Sequence, residues 1–154
     1  MIDDVSLKIL KILQQKARIP NVEVARQVGM APSAVLERIR KLEKQGFIDG
    51  YEVRLNPKRF AKSLVAFVNV KLKKLDAEIN VGQTLSKLPE VQEVHYVAGE
   101  DAFLVKVRAA DTEALSRLIR VKIAAITGVQ STRTAIVLST YKETARIPIE
   151  IVSA

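Results

Sequence analysis

Few residues in this chain have side chains suited to covalent or metal chemistry. There is no cysteine and a single histidine, His95. That leaves no thiolate, no disulfide framework and no set of nitrogen or sulfur ligands for a structural zinc. No metal site and no catalytic residue is therefore assigned, and no nucleophile–base pair or glycine-rich phosphate cradle stands out. What the chain has in excess is positive charge: 25 Lys and Arg against 17 Asp and Glu, a formal net charge of +8. Residues 1 to 60 hold 12 of these cations and 7 of the acids, and the remaining 94 residues hold 13 and 10. The surplus looks concentrated in the N-terminal part, and a basic surface there points to a polyanionic partner.

The elements that would carry that charge can be read from periodicity. Val5, Ile9, Ile12 and Leu13 form a helical stripe, with Asp3 and Asp4 at its positive end. Asn21 is placed to cap a short helix with Val24, Ala25 and Val28 inward, and Gly29 ends it. Pro32 opens a third helix whose buried stripe is Val35, Ile39 and Leu42, closed by Gly46. Two helices joined by a glycine-containing turn, the second one basic, describe a helix-turn-helix. With Val35 at the centre of the buried face, Glu37, Lys41 and Lys44 fall opposite, Ser33 and Arg40 flank one side, and Ala34 and Arg38 flank the other. Pro32, Ser33 and Ala34 are small enough to approach a groove, and Glu37, Arg38, Arg40, Lys41 and Lys44 would meet base edges or phosphates. After Gly46, Asp49-Gly50 reads as a turn, and alternating Tyr51, Val53 and Leu55 read as a wing or exit strand. Asn56-Pro57 then marks a boundary.

The remaining two thirds read as β-α-β-β-α-β. Leu64 to Leu72 is a strand. Asp76 starts a helix with Ile79, Leu85 and Leu88 inward. Val91, Val94, Tyr96 and Val97 form a second strand, Gly99-Glu100-Asp101 a turn, and Phe103, Val105 and Val107 a third strand with Lys106 and Arg108 on its other face. A helix from Asp111 buries Leu115, Leu118, Ile119, Ile123 and Ile126, and a long strand runs from Val129 to Tyr141. This order is the ferredoxin-like split unit. Helices on one face leave the other to be covered, so a homodimer is expected. The apolar tail, Ile147, Ile149, Ile151 and Val152 with Pro148, reads as an edge strand or an exchanged segment.

The expected fold is α+β: an N-terminal winged helix-turn-helix domain at 1–56, a linker at 57–63, and a ferredoxin-like domain at 64–154. The ordered set of motifs resembles the Lrp/AsnC family of transcription regulators over nearly the whole chain. The matching pieces are Ile9-Leu10-Lys11-Ile12-Leu13, Ala17-Arg18-Ile19-Pro20, Glu23-Val24-Ala25, Val28-Gly29, Pro32-Ser33-Ala34-Val35 with Arg38-Ile39 and Leu42-Glu43, Gly46-Phe47-Ile48, Gly50-Tyr51, Leu55-Asn56-Pro57, Val97-Ala98-Gly99-Glu100-Asp101 and Gly128-Val129 with Thr132, Thr134 and Ile136-Val137-Leu138. The chain departs from the family pattern at Ser6 and Ala31, where Asp and Ser are usual, and at Asp101-Ala102, where the acid comes one residue early.

The resemblance implies a first domain that binds operator DNA and a second, RAM, domain that dimerises, assembles dimers into rings such as octamers, and binds a small effector, usually an amino acid, between subunits. The positions matching that pocket are Gly99, Glu100, Asp101, Thr132 and Thr134, with His95 and Tyr96 on the strand leading in. No other cofactor and no membrane are implied, and the expected location is cytoplasmic, on the nucleoid. Two other readings are an enzyme on the same frame, resembling the sirohaem decarboxylases, and a sensor acting through a protein partner. The basic third helix and the solitary His95 favour the regulator. On this reading, duplex binding falls steeply with salt and weakens when Arg38 and Lys41 are neutralised.

Overall fold

The computed structural model describes residues 2–150. It divides into two compact units, one holding the residues up to Arg54 together with those from Glu143 onward, the other Leu55–Lys142. Each is described by itself.

The first unit contains α1 (Asp4–Gln15), α2 (Asn21–Val28) and α3 (Pro32–Lys44). The Asp3 side chain accepts the Ser6 N–H at 2.8 Å and caps α1. For α2 the cap position is Pro20, one residue earlier than expected, and Asn21 is already helical. Gly29 ends α2 in the left-handed region, φ 70°, which a side chain would disfavour. Ala31 precedes α3 and makes no side-chain cap, but Pro32 holds the first helical position. Ile9, Leu10, Leu13, Val24, Ala25, Val35, Ile39 and Leu42 form the buried core where the three apolar stripes meet.

Two of the expected strands do not form among the described residues. No strand forms at residues 51–55; Tyr51, Val53 and Leu55 are exposed. A strand needs a neighbour for its backbone N–H and C=O groups, and among the described residues this segment has none. Instead the Tyr51 hydroxyl folds back and donates to Glu43 Oε1 on α3 at 2.8 Å. The tail contributes no strand to the second unit either, as far as Glu150. It lies in the first unit, where the Gln14 amide accepts the Ile147 N–H at 2.8 Å and donates to the Ile147 carbonyl at 3.1 Å, and Ile149 packs on the helical core. One carboxamide thus does the work of a strand neighbour. The expected tail residues Ile151 and Val152 lie outside the described residues.

The second unit is an antiparallel sheet in the order β2-β3-β1-β4, built from β1 (Leu64–Leu72), β2 (Val91–Tyr96), β3 (Phe103–Ala109) and β4 (Val129–Ile136). β4 stops five residues short of the expected Tyr141, which is fully exposed. On one sheet face Val68, Val70, Val105 and Val107 are wholly buried under α4 (Glu78–Ser86) and the helix beginning at Thr112. In α4 the inward residues are Val81 and Leu85, whereas Ile79 is exposed. Asp76 sits in a 3-10 turn, Leu75–Ala77, rather than at the cap, which shifts the start of α4 to Glu78.

The last helix is not one regular α-helix. It runs as α5 (Thr112–Arg117), capped by Asp111, and continues as a π-helical stretch, Leu118–Ile123. Leu118 and Ile123, five apart, are both buried; regular α geometry would turn them about 140° apart. The widened turn keeps Ile123 in the core and leaves Lys122 outside, paired with Glu90. Among the described residues no helix is long and apolar enough to cross a membrane.

Gly128 connects this stretch to β4 at φ 103°, and a Cβ there would meet Ala77 Cβ at 2.8 Å and Val81 Cγ2 at 3.1 Å. Gly128→Ala therefore combines backbone strain with a core clash. It should cost about 2 to 4 kcal/mol in urea unfolding of this unit; an unchanged midpoint would contradict the packing described.

Candidate functional site

The third helix exposes most of the residues expected to meet DNA and turns Arg38 inward. Pro32, Ser33, Glu37, Arg40, Lys41 and Lys44 are exposed and Ala34 is half-buried. Arg38 is turned inward. Its guanidinium donates to Asp3 Oδ2 at 2.5 Å and to the buried Ser6 Oγ at 3.1 Å, clasping α3 to the start of α1. The Arg38 hydrogen bond, followed by the Ser6 N–H, holds the Asp3 carboxyl down to about 2. The helical wheel explains why: Arg38 lies three residues after Val35, some 60° from the centre of the buried face. Its partner is 35 residues away in sequence, so spacing within the helix gives no hint of the pairing.

The charge distribution also differs from the reading by sequence halves. Counted by structural unit, Leu55–Lys142 holds 14 Lys and Arg against 8 Asp and Glu, a net of +6, and the first unit holds 11 against 9, a net of +2. The surplus lies mainly in the second unit, and the third helix is a local basic face on a nearly balanced domain.

In the second unit the expected effector residues divide between two sides of the sheet. The register aligns Tyr96, Phe103, Val70 and Thr132 in one row across the four strands, and Val94, Val105, Val68 and Thr134 in another. Residues opposite each other share a face, so Tyr96, Thr132 and Thr134 lie on the helix-covered side. Between these rows runs His95, Leu104, Asn69 and Arg133, on the opposite side. There His95 Nε2 lies 3.2 Å from Glu93 Oε2, and Glu93 also takes the buried Lys106 ammonium at 3.1 Å. The bond with His95, then that with Lys106, lowers the Glu93 pKa. Lys106 lies on the other face of β3, as expected, and pairs there with Glu93, the residue opposite it on β2.

The turn itself is short. Val97 N–H donates to the Ala102 carbonyl at 2.9 Å, leaving residues 98–101 as its tip. Gly99 adopts φ 137° and is open to solvent, as is Glu100. Asp101 is half-buried and accepts from the Arg133 guanidinium at 2.5 Å. Arg133 was overlooked from sequence although it stands between Thr132 and Thr134; alternation along β4 sends it to the other side, toward Asp101. Tyr96 packs on Phe103 with ring centroids 5.5 Å apart. Thr134 lines an open groove of about 280 Å³ with Leu115, Ile119, Arg120 and Ile136.

Tyr96 and Thr132 stand on the two edge strands, three strand spacings apart, about 14 Å. One chain does not gather these residues around one small ligand.

The comparisons agree with the architecture at both ends of the chain. A family model described as the Lrp/AsnC ligand binding domain matches residues 65–147, and one described as a winged helix-turn-helix DNA-binding domain matches residues 2–49. The chain belongs to the Lrp/AsnC family. The leucine-responsive regulatory protein of Escherichia coli K12 is 37% identical over 151 residues, covering 97% of this chain and 92% of that protein. The structure of Escherichia coli AsnC superposes with a TM-score of 0.88 at 30% identity, covering 96% of this chain and 99% of that one. A Neisseria meningitidis transcriptional regulator solved as an L-methionine complex superposes at 0.91 with 31% identity, covering 96% and 97%. The feast or famine regulatory protein of M. tuberculosis, also complexed with L-methionine, gives 0.89 and 31%, covering 97% and 100%. This Lrp/AsnC protein is a DNA-binding transcriptional regulator with a RAM-type second domain.

The reassignment of Arg38 separates two variants that the helix alone would treat alike. Arg38→Ala should lower the stability of the helical unit by about 1 kcal/mol, a modest figure because the pair is partly solvated. Arg40→Ala should leave stability unchanged and flatten the salt dependence of duplex binding by roughly one contact. Thermal melts and anisotropy titrations at several salt concentrations check this; the reverse pattern would return Arg38 to the DNA face.

Proposed function

We propose that α3 enters the major groove and reads the operator with Ser33, Glu37, Arg40, Lys41 and Lys44, and that the second unit binds an amino acid between copies of the chain. The single observation that supports the effector reading is the division just described: the candidate residues sit on both edges and both sides of one sheet, so a second copy is needed to complete a pocket. The sheet's one-sided helix cover gives such a copy a face to occupy, and two copies would present two recognition helices to a two-fold operator. Assembly of dimers into an octamer extends the same logic. The solved relatives holding L-methionine support an amino acid as the chemical class.

The chemistry suits a zwitterion. The open backbone at Gly99 and the Thr132 and Thr134 hydroxyls offer donors to a carboxylate, and Glu100 offers an acceptor to an ammonium. Asp101 is held by Arg133 and serves better to shape the turn than to bind the ligand directly. His95 and Tyr96 frame the approach. Acting on chromosomal DNA, the protein works in the cytoplasm on the nucleoid, with no role as an enzyme in this reading.

Mapping genome-wide occupancy in cells with and without added amino acids tests both halves together. Occupancy at discrete sites should change by about 5- to 150-fold in apparent affinity with one or a few amino acids. Gly99→Val should abolish that response by straining the turn and filling its approach, while basal occupancy persists. Discrete sites indifferent to every amino acid would overturn the effector reading, and the absence of discrete sites would overturn the operator reading.

A further inference from the structure

From Val53 to Leu75 the chain contains seven cations, Arg54, Lys58, Arg59, Lys62, Lys71, Lys73 and Lys74, and no Asp or Glu. The first of these to belong to the second unit are held on a short, ordered knuckle. Asn56 Oδ1 accepts the Lys58 N–H at 3.1 Å and starts a 3-10 turn, Pro57–Phe60. Ala61 closes it at φ 49°, the one non-glycine residue with positive φ among those described, and the Lys62 N–H returns to the Pro57 carbonyl at 3.0 Å. A residue with a Cβ is disfavoured in the left-handed region, so surrounding contacts must fix the turn. One of them is the Arg108 guanidinium, which donates to the Lys62 carbonyl from β3.

The turn presents charge without neutralising it. Lys58, Arg59 and Lys62 are exposed and make no ion pair with any described residue. Glu90 lies close enough to Lys62 to feel its charge, but it pairs with Lys122. Arg108 is also engaged, with Gln92 as well as Lys62. Lys58, Arg59 and Lys62 therefore keep their charge on an exposed surface. Among the described residues, the ion pairs of this unit draw on none of Lys58, Arg59 and Lys62.

We infer that this knuckle is a second, sequence-independent DNA contact, in which Lys58, Arg59 and Lys62 meet phosphates of the same duplex that α3 reads. The inference rests on the DNA-binding reading and extends it. A fixed cluster of unpaired cations matches the charge of a nucleic acid backbone and needs no base contact. Chain connectivity selects the occupant. Only 12 residues lie between the end of α3 at Lys44 and Pro57, a reach of at most about 45 Å when fully extended, so phosphates within about one helical turn of the α3 contact are at high effective concentration. The net +6 of this unit, beside the near-balanced first unit, is then explained as the source of bulk affinity, with α3 supplying the discrimination.

The test uses the full-length protein and a 40-base-pair duplex of arbitrary sequence, followed by anisotropy over a salt series. A Lys58→Gln/Arg59→Gln/Lys62→Gln variant should flatten the slope of log K against log salt by about 2 to 3, at roughly 0.9 per phosphate contact. It should weaken binding at moderate salt at least tenfold. The charge-conserving Lys58→Arg/Arg59→Lys/Lys62→Arg variant should retain the wild-type slope, which separates loss of charge from loss of fold. An unchanged slope in the Gln variant while the wild type binds steeply would overturn the knuckle contact alone, and would leave an acidic protein surface as the patch's partner. No wild-type binding to any duplex would instead overturn the DNA-binding reading on which it rests.

Discussion

The rest of the second unit's behaviour follows from one constraint: a four-stranded sheet has its helices on one side only. Val68, Val70, Val105 and Val107 are sealed beneath those helices. The opposite side carries Phe67, Asn69 and Leu104, all half-buried, with the Glu93–Lys106 pair and Arg133. A sheet so built has two faces of different chemistry and two open edges, β2 and β4. The residues that the family resemblance assigns to an effector are distributed over those edges. On the proposed reading a pocket made from them needs a second copy of the chain, and its occupancy is coupled to assembly by mass action. That is a physical route by which a small molecule can alter how a regulator holds DNA.

The first unit works differently. Its three helices are short, and helices of this length depend on tertiary packing rather than on their own propensity. The clasp of Arg38 on Asp3 and Ser6 and the grip of Gln14 on the returning tail add polar fastening to the small apolar core. The tail makes this domain discontinuous in sequence. Residues that follow the last strand of the second unit help complete the helical unit, so the two parts of the chain are joined twice.

Much of this was legible in the sequence because period and punctuation agree. The stripes Val5/Ile9/Ile12/Leu13 and Val35/Ile39/Leu42, with Gly29 and Pro32 between helices, place the helix-turn-helix. The alternation Phe103/Val105/Val107 places the central strand. What was not legible depends on distant partners. Nothing near Arg38 announces Asp3, and nothing near Ile147 announces Gln14. The alternation at Tyr51, Val53 and Leu55 reads as a strand, yet alternation gives a face and not a neighbour. The π-helical stretch escaped because Leu115, Leu118, Ile119, Ile123 and Ile126 all turn inward as expected, but by widening the turn. The basic surplus was misplaced because a cut after Phe60 put Lys58 and Arg59 with the helices and left the tail's acids, Glu143 and Glu150, with the sheet.

The central claim is that two copies of α3 read one two-fold operator from the exposed face of Ser33, Glu37, Arg40, Lys41 and Lys44. Hydroxyl-radical footprinting on a bound chromosomal site tests it most directly. The account predicts paired protections on one face of the duplex, with half-site centres one helical turn apart, about 34 Å, or a multiple of that. A single protected patch, or protection with no two-fold relation, would contradict it.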